Sequence, residues 1–310
     1  MKDEDGSLAK ILDTNRALSK TNFLSVIVPI TKMAGRFENL ESWLMEALEC
    51  GIEVILVHDI QDEMTEIEIA VKFKTINHSK LKILEGKFES PGLTRNKGIS
   101  ESTGEWIAFW DADDVPNPRA AQSLLDLIQN QGGVELIVGS YEVISPSGQS
   151  LVEARDGDIN GIAVNPGMWR MIFKRELMGG RSFSNSKMGE DQEFIASLKP
   201  WDLSIRFSKI VLYRYYFGGD YQLTSDGGNF KDLVHVTKRL INQLEISNSK
   251  ANIFISTLII RQIFTGFSRS GPKVKKEFVS IAALFTIKYV IFHPRRTASS
   301  VKNILKLRGK

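Results

Sequence analysis

The chain has 310 residues, of which 40 are Lys or Arg, 37 are Asp or Glu, 42% are hydrophobic and one, Cys50, is a cysteine. This globular composition excludes a fully disordered chain, a collagen-like rod and a small secreted protein held by disulfides. One thiol cannot form an internal disulfide, and it fits a reducing compartment. Residues 1–22 are polar and acidic at their start, which predicts a polar leader and not a signal peptide.

Short apolar runs alternate with helical patterns between residues 23 and 110. The runs that are typical of strands buried on both faces lie at 23–30, 53–57, 81–84 and 105–110. The stretches with helical spacing lie at 37–48, at 67–73 and after Pro91. Strands separated by helices imply right-handed crossovers, so we expect an α/β fold with a mostly parallel sheet. Such sheets bind ligands at the carboxyl ends of their strands.

After Pro116 the pattern changes. It predicts a helix that ends at Gly132 and Gly133, strands at 134–144 and 204–217, and only helices from residue 230 onward. We therefore divide the chain into the leader, an α/β unit at 23–225 and a helical, basic C-terminal region at 226–310. The longest apolar run, 278–292, would reach only about 22 Å as a helix, which is shorter than a hydrocarbon core of about 30 Å.

The strongest chemical signal is the acidic turn at Asp111, Asp113 and Asp114, directly after the fourth predicted strand. Other Asp-x-Asp triplets at 3–5 and 156–158 do not follow a buried strand. Neighbouring carboxylates repel one another and raise their pKa values unless a cation joins them. Oxygen ligands at one compact point suit Mg²⁺ or Mn²⁺, which commonly bind a diphosphate as well. The alternative is an acidic turn that caps the next helix.

Three further positions carry candidate functional side chains. Asp59 ends the second strand on the same sheet edge and could accept a hydrogen bond from a base or a ribose, or be an ordinary loop acid. Glu190 and Asp191 begin a predicted helix, where acids are also stabilised by the helix dipole; as functional groups they suit general-base catalysis. Arg95 lies near the start of the helix after Pro91, where it could face a phosphate or be exposed.

Taken together, these segments resemble glycosyltransferase family 2. The matching segments occur in the family's order at 25–29, 53–59, 91–98, 102–114 and 189–191, and 169–177 resembles the segment before the family's acidic motif. The resemblance covers residues 23–220. It implies a GT-A fold, with a Rossmann-like mixed sheet and here a C-terminal helical extension, and inverting transfer from a nucleotide-activated sugar with Mn²⁺ or Mg²⁺.

The resemblance also implies roles for individual residues. Asp191 would be the general base, with Glu190 in support. Asp113 would ligate the metal, and Asp111 would reach the metal or the ribose. The remaining residues implied to bind the nucleotide sugar are Pro29, Thr31, Asp59, Arg95 and Ala112. The acceptor implied is a hydroxyl of a glycan or lipid-linked glycan, as in polysaccharide synthesis.

The chain departs from the family pattern at the base pocket. His58-Asp59-Ile60-Gln61 stands where the family has Asp-Asp-Gly-Ser, so a UDP-sugar is the favoured donor without being fixed by the motif. The Gln-x-x-Arg-Trp motif of processive synthases is absent from the sequence, which favours addition of one or a few sugars. Two other functions stay open: a nucleotidyltransferase, and a non-catalytic module that binds sugar nucleotides or a membrane surface.

The basic C-terminal region requires its own explanation. Residues 271–310 carry ten Lys or Arg and one Glu, a local net charge of +9, whereas residues 1–270 sum to −6 because the whole chain is +3. The region either packs on the core with a solvated basic end or attaches to anionic lipid through a basic amphipathic helix. It has no nucleic-acid recognition motif, so nucleic acid is not an expected partner. We expect a cytoplasmic protein, with peripheral attachment to the inner face of the cytoplasmic membrane as the alternative to a purely packing role of this region.

Overall fold

The computed structural model describes residues 24–128, 132–218, 229–244 and 248–308. The described strands form one mixed sheet. They are β1 (Leu24–Ile30), β2 (Glu53–Asp59), β3 (Leu81–Gly86), β4 (Trp106–Phe109), β5 (Val115–Pro116), β6 (Leu136–Ser145), β7 (Gly148–Val152), β8 (Met171–Lys174) and β9 (Ile205–Tyr216). Their order across the sheet is β3-β2-β1-β4-β8-β6-β9-β5, with β7 paired to β6.

The α-helices cover both faces of the sheet and continue to the end of the described chain. They are α1 (Glu38–Glu49), α2 (Glu63–Lys72), α3 (Pro91–Glu101), α4 (Pro118–Ile128), α5 (Ile159–Val164), α6 (Glu190–Ser197), α7 (Phe230–Asn242), α8 (Ser249–Arg269), α9 (Pro272–Phe285) and α10 (Pro294–Arg308). A π-helical turn at Thr286–Val290 follows α9. The predicted leader at 1–22 and the predicted boundary near 225 lie outside the described residues.

The parallel part of the sheet agrees with the sequence. β1 pairs in parallel with β2 and β4, and β2 pairs in parallel with β3, so the carboxyl ends of these four strands share one edge. The sequence missed β8, which lies antiparallel between β4 and β6. With only four residues and short 3₁₀ helices on both sides, β8 has too short a pattern to predict a strand.

Successive residues of β1 pack into two hydrophobic layers, one on each face of the sheet. Ile27 contributes to the layer that also holds α6 to α9, and Val26 and Val28 contribute to the layer beneath α1 and α4. This division follows from the alternation of side chains along a strand. The C-terminal helices α7 to α9 therefore share the main core with the parallel strands.

Helix α8 is long and apolar enough to cross a bilayer by length and composition alone, with 21 residues and a mean hydropathy of 1.2. However, 56% of that window is buried inside the protein. Phe254 and Leu258 on α8 are fully buried in the core layer described above, while Phe264 and Phe267 near its end remain exposed. This burial is typical of a core helix, so the length and composition of α8 are weak grounds for a membrane span.

Candidate active site

The acidic turn follows β4 at the carboxyl edge of the sheet, where the sequence predicts it. Trp110 is buried against Trp43, with ring centroids 5.2 Å apart, and this contact fixes the start of the turn. The backbone N–H of Asp111 donates to the hydroxyl of Tyr213 on β9 at 3.0 Å. The turn is therefore anchored to both α1 and β9, and its aspartates have defined positions.

The three aspartates of this turn differ in their surroundings. Asp114 is buried; its carboxylate accepts the backbone N–H of Tyr216 at 2.7 Å, and burial, followed by the charges of Asp113 and Asp111, raises its pKa to about 9. Asp114 thus ties the turn to β9. Asp111 and Asp113 are only half-buried and remain open to a ligand. Ala112 between them is buried.

Asp111 and Asp113 provide a chemically suitable pair for a divalent cation. Burial raises the pKa of Asp113 to about 6, with a second contribution from the charge of Asp111, and burial also raises the pKa of Asp111 despite Arg95. A cation between the two would relieve this repulsion. Within the described part of the chain, no group of three or more His, Cys, Asp or Glu side chains could hold a metal. A cation here would therefore complete its shell with water and diphosphate oxygens.

Arg95 joins the two acidic motifs. Its Nη1 lies 2.7 Å from Oε1 of Glu190, and its Nη2 lies 3.4 Å from Oδ1 of Asp111. The sequence left two possibilities for Arg95, a position facing a phosphate or an exposed one. In the structure Arg95 is only 9% exposed, and its guanidinium spans two carboxylates. The motifs at 111 and 190–191, far apart in sequence, consequently lie side by side.

Helix α3 carries Arg95 to this position through close packing. It begins at Pro91, with the Ser90 hydroxyl accepting the N–H of Leu93. A Cβ on Gly92 would lie 2.3 Å from the backbone oxygen of Ser184, and one on Gly98 would lie 2.4 Å from the side chain of Ile27. Only glycine at these two positions allows the helix to approach both β1 and the segment that leads to α6.

Asn96 fastens the same helix to that segment, a role that the sequence analysis missed. Its side-chain amide donates to the backbone oxygen of Phe183 and accepts the backbone N–H of Phe183, both at 2.9 Å. Because Asn96 directly follows Arg95, these two bonds fix the position of Arg95 relative to the segment that leads to Glu190. An Asn beside a predicted functional Arg was the only signal in the sequence.

Glu190 and Asp191 occupy the first turn of α6 in different ways. Glu190 is buried against Arg95, and burial together with the charge of Asp191 raises its pKa to about 7. Asp191 is half-buried; burial raises its pKa, although Arg95 and Arg261 oppose the shift. Glu190 is thus held in place, and Asp191 is the more accessible carboxylate with a strengthened affinity for a proton.

The residues predicted to form the base pocket differ in how fully the protein satisfies their hydrogen-bonding groups. Asp59 is buried, and its carboxylate already accepts the N–H groups of Phe88 and Glu89 at 2.7 and 3.1 Å and the amide of Gln61 at 2.6 Å. It therefore orders the loop that leads to α3, which leaves about one of its roughly four acceptor positions for a ligand. Thr31 has a buried hydroxyl with no hydrogen-bond partner among the described residues.

Pro29 lies beside Val57 of β2 near the end of β1, two residues before Thr31. An unpaired buried hydroxyl is costly unless a ligand or water satisfies it. Thr31 is therefore the base-pocket residue with the clearest structural reason to meet a ligand.

Known structures share this arrangement of sheet and helices. The structure of TarS from S. aureus superposes with a TM-score of 0.60 over 91% of this chain and 89% of that chain, at 17% identity. The mannosyltransferase PcManGT from Pyrobaculum calidifontis gives a TM-score of 0.52 over 96% and 93% of the two chains, at 14% identity. At these identities the likeness establishes the fold alone. The protein has a GT-A fold.

The sequence comparison identifies the family. The model of glycosyl transferase family 2 matches residues 25–183, about half of the chain. The chain belongs to glycosyltransferase family 2.

The curated relatives match this chain at less than 30% identity. The chain is 29% identical to the uncharacterized glycosyltransferase YibD of Escherichia coli over 110 residues, which are 36% of this chain and 31% of YibD. It is 29% identical over 143 residues to glycosyltransferase AglE of Haloferax volcanii, covering 44% and 45% of the two chains. Glycosyltransferase GlyG of Streptococcus pneumoniae is 22% identical over 78% of this chain and 85% of GlyG. The matches thus span less than half of the first two relatives.

Proposed function

We propose that the protein transfers a sugar from a nucleoside diphosphate sugar to a hydroxyl of a glycan or lipid-linked glycan, with inversion at the anomeric carbon. The observation that carries this proposal is the bridge from Asp111 through Arg95 to Glu190, beside Asp191. It brings a cation-binding turn and a candidate base to one sheet edge. The printed descriptions of structural neighbours are consistent with it, because TarS is described in complex with UDP-GlcNAc and PcManGT with GDP-Man and Mn²⁺.

The proposed donor site lies at the Asp111–Asp113 turn. A Mn²⁺ or Mg²⁺ ion held by Asp111 and Asp113 would supply positive charge to the leaving diphosphate. Arg95 keeps Asp111 in place and adds a second positive charge nearby. Thr31, Pro29 and Asp59 line the edge where the base would lie. A UDP-sugar is the favoured donor.

The proposed chemical step needs one base. The acceptor oxygen forms a bond to the anomeric carbon from the face opposite the diphosphate, and the bond from that carbon to the diphosphate oxygen breaks with its electron pair. The acceptor proton moves to a carboxylate oxygen of Asp191, whose raised pKa suits it to this role. A single displacement inverts the configuration and forms no covalent intermediate on the enzyme.

Donor turnover tests this function. Purified protein is incubated with UDP- and GDP-sugars, with and without Mn²⁺ or Mg²⁺, and the released nucleotide is identified. We expect nucleoside diphosphate, a requirement for metal, and losses of at least about 100-fold in Asp113→Asn and Asp191→Asn. Asp156→Asn is the matched control, because Asp156 is exposed and belongs to an Asp-x-Asp triplet away from the sheet edge.

Two other results would redirect the assignment. Release of pyrophosphate would identify a nucleotidyltransferase. Binding of sugar nucleotide with no turnover across a broad set of acceptors, together with equal behaviour of Asp113→Asn and Asp156→Asn, would favour a non-catalytic module.

A second part of the proposal concerns the anionic surface of the cytoplasmic membrane. The π-helical turn after α9 and the residues that join it to α10 expose the large apolar side chains of Ile287, Ile291 and Phe292, the last at 70%. Lys288 lies in this turn, and Arg295 lies at the start of α10. Apolar side chains that insert among lipids and cations that meet their headgroups form an interfacial anchor.

Vesicle flotation tests the membrane proposal. We expect binding to vesicles that contain phosphatidylglycerol, little binding to phosphatidylcholine, and a clear loss of binding in the variant Ile291→Ser with Phe292→Ser. Val71→Ser, which changes an exposed apolar residue on α2, is the control. Equal flotation of all three proteins would leave the C-terminal helices with a packing role only.

A further inference from the structure

The C-terminal helix α8 meets α6 beside the candidate base. The amide of Gln262 donates to the side-chain oxygen of Gln192 at 3.1 Å, and the hydroxyl of Thr237 on α7 donates to Gln262 at 2.7 Å. All three side chains are buried. Gln192 follows Asp191, and Gln262 follows Arg261. This chain of bonds therefore fixes the position of Arg261 along α8 relative to Asp191 on α6.

Arg261 adds a positive charge beside the site. It belongs to the C-terminal helices, which contain none of the segments that resemble the family. It is half-buried; burial lowers the pKa of Arg261, and Asp191, Tyr141 and Tyr215 oppose the shift. Within the described ranges it forms no ion pair to a carboxylate within 4 Å, whereas Arg95 forms two. Arginine presents a planar set of donors that matches the geometry of carboxylate and phosphate groups. The guanidinium of Arg261 is thus suited to bind an anionic group of a ligand.

An aromatic cluster lies against the acidic turn. The indole of Trp169 stacks on Tyr213 and Tyr215, with centroid distances of 4.6 and 5.4 Å, and meets the edge of Tyr141 at 4.7 Å. Tyr213 and Tyr215 are two residues apart on β9 and so share a face of the sheet. Tyr213 also bonds the backbone of Asp111. The cluster therefore adjoins the donor edge, and it contains Tyr141 and Tyr215, two of the groups that oppose the lowering of the pKa of Arg261.

We propose that Trp169, Tyr215 and Arg261 form the acceptor subsite and that this subsite takes an anionic glycan, one that carries a phosphate or carboxylate group. The inference rests on the glycosyl transfer proposed above. The half-buried rings of Trp169 and Tyr215 supply apolar surface of the kind that lines ligand sites. Arg261 pairs with the anionic group, and the register set by Gln262 keeps that group near Asp191, where the attacking hydroxyl must lie.

A binding experiment separates charge recognition from catalysis. The probes are maltotriose, a phosphate monoester of maltotriose, and trigalacturonate, titrated into the full-length protein in the presence of UDP and Mn²⁺. We expect at least one anionic probe to bind about tenfold more tightly than maltotriose, a difference of about 1.4 kcal/mol. Arg261→Gln should remove this preference, Arg261→Lys should keep most of it, and added salt should reduce it in the wild type.

The matched control is Arg206→Gln, because Arg206 is an exposed arginine at the opposite end of β9. It should leave the preference for anionic probes intact. Equal binding of neutral and anionic probes, no binding of any anionic probe, or the same loss in Arg206→Gln and Arg261→Gln would each overturn the inference.

Hydrolysis of the donor by water, measured on the same wild-type protein, keeps the two proposals distinct. If donor hydrolysis is present and the charge preference is absent, only the acceptor inference fails. If metal-dependent donor turnover is absent as well, the proposed function fails.

Discussion

The two ends of the parallel strands carry carboxylates in opposite electrostatic states. At the amino end, Glu53 at the start of β2 is 1% exposed and accepts hydrogen bonds from Ser25, from Lys82 and from both the N–H and the hydroxyl of Thr103. Burial by itself would raise the pKa of Glu53, but these bonds hold it below its ordinary value. This carboxylate is therefore fully satisfied by the protein.

At the carboxyl end, the carboxylates are left partly unsatisfied. Burial raises the pKa values of Asp113, Glu190 and Asp191, and neighbouring acidic groups add to the effect at Asp113 and Glu190. Among the described residues, Arg95 forms ion pairs at this edge with Glu190 and Asp111. A bound cation, or a proton taken from a substrate, would relieve this unfavourable buried negative charge.

The difference separates a structural acid from functional ones. Where an acid only stabilises the fold, its hydrogen-bonding capacity is used within the protein. Where acids serve a ligand, the protein retains unfavourable charge that it could have removed by substitution, at a cost in stability. The comparison predicts that neutralising the two kinds of carboxylate changes stability in opposite directions.

The largest effect is expected at the amino end. Glu53→Gln removes the buried charge that Lys82 and Ser25 hold, and we expect the free energy of unfolding to fall by about 3 kcal/mol. Because the pKa of Glu53 is lower in the folded state, its contribution is complete above its ordinary value of 4.5 and is lost as the pH falls through the lower folded value. Denaturant titration at pH 7 and pH 4 measures both effects.

Glu101→Gln is the control for this change. Glu101 is 42% exposed in its ion pair with Lys97, so its removal should leave stability almost unchanged. If Glu53→Gln is as stable as Glu101→Gln, the satisfied network at the amino end is not what stabilises the sheet.

Much of this arrangement follows from sequence patterns. The buried strands and the crossover rule bring Asp59 and Asp111 to one edge, and both residues lie there in the structure. These features depend on local periodicity and on chain topology, which a single sequence displays. The nearness of the acidic turn to Glu190 was implied only by the family resemblance, and in the structure Arg95 contacts both Asp111 and Glu190.

The rest depends on contacts between distant segments. Helical spacing identified an apolar face on α8, but it could not indicate that Gln262 meets Gln192, the residue next to Asp191. Likewise, the two close glycine contacts of α3 decide that Arg95 contacts two carboxylates. Contacts of this kind depend on how whole helices and strands pack against one another. The residue pattern within a single helix or strand does not reveal them.

An intermediate effect of the opposite sign is expected at the carboxyl end. Asp191→Asn removes a carboxylate whose pKa is raised by burial, so the folded state no longer holds an unfavourable charge at neutral pH. We expect the free energy of unfolding to rise by about 1 kcal/mol, while transfer is lost. Denaturant titration at pH 7 measures the change, and it should disappear at a pH low enough to protonate Asp191 in both states.

Asp156→Asn supplies the reference for an exposed aspartate, and it should change neither stability nor turnover. If Asp191→Asn is less stable than the wild type, the carboxylate is a structural group like Glu53, and the contrast between the two ends of the sheet is wrong.

The smallest effect concerns how Arg261 modulates the base. In the proposed mechanism, transfer requires the ionised form of Asp191, so activity should fall as the pH drops through its raised pKa. The positive charge of Arg261 favours that ionised form and lowers the pKa of Asp191. Arg261→Gln should therefore move the acidic limb of the pH–rate profile for donor hydrolysis to higher pH, and Arg261→Lys should leave it nearly in place. The displacement is limited because Arg95 still acts on Asp191. If the limb stays fixed in Arg261→Gln, or moves to lower pH, the expectation is wrong. Either Asp191 does not titrate in that limb, or the charge of Arg261 does not reach it. The unsatisfied state of the carboxylates at the carboxyl end would then be due to burial alone.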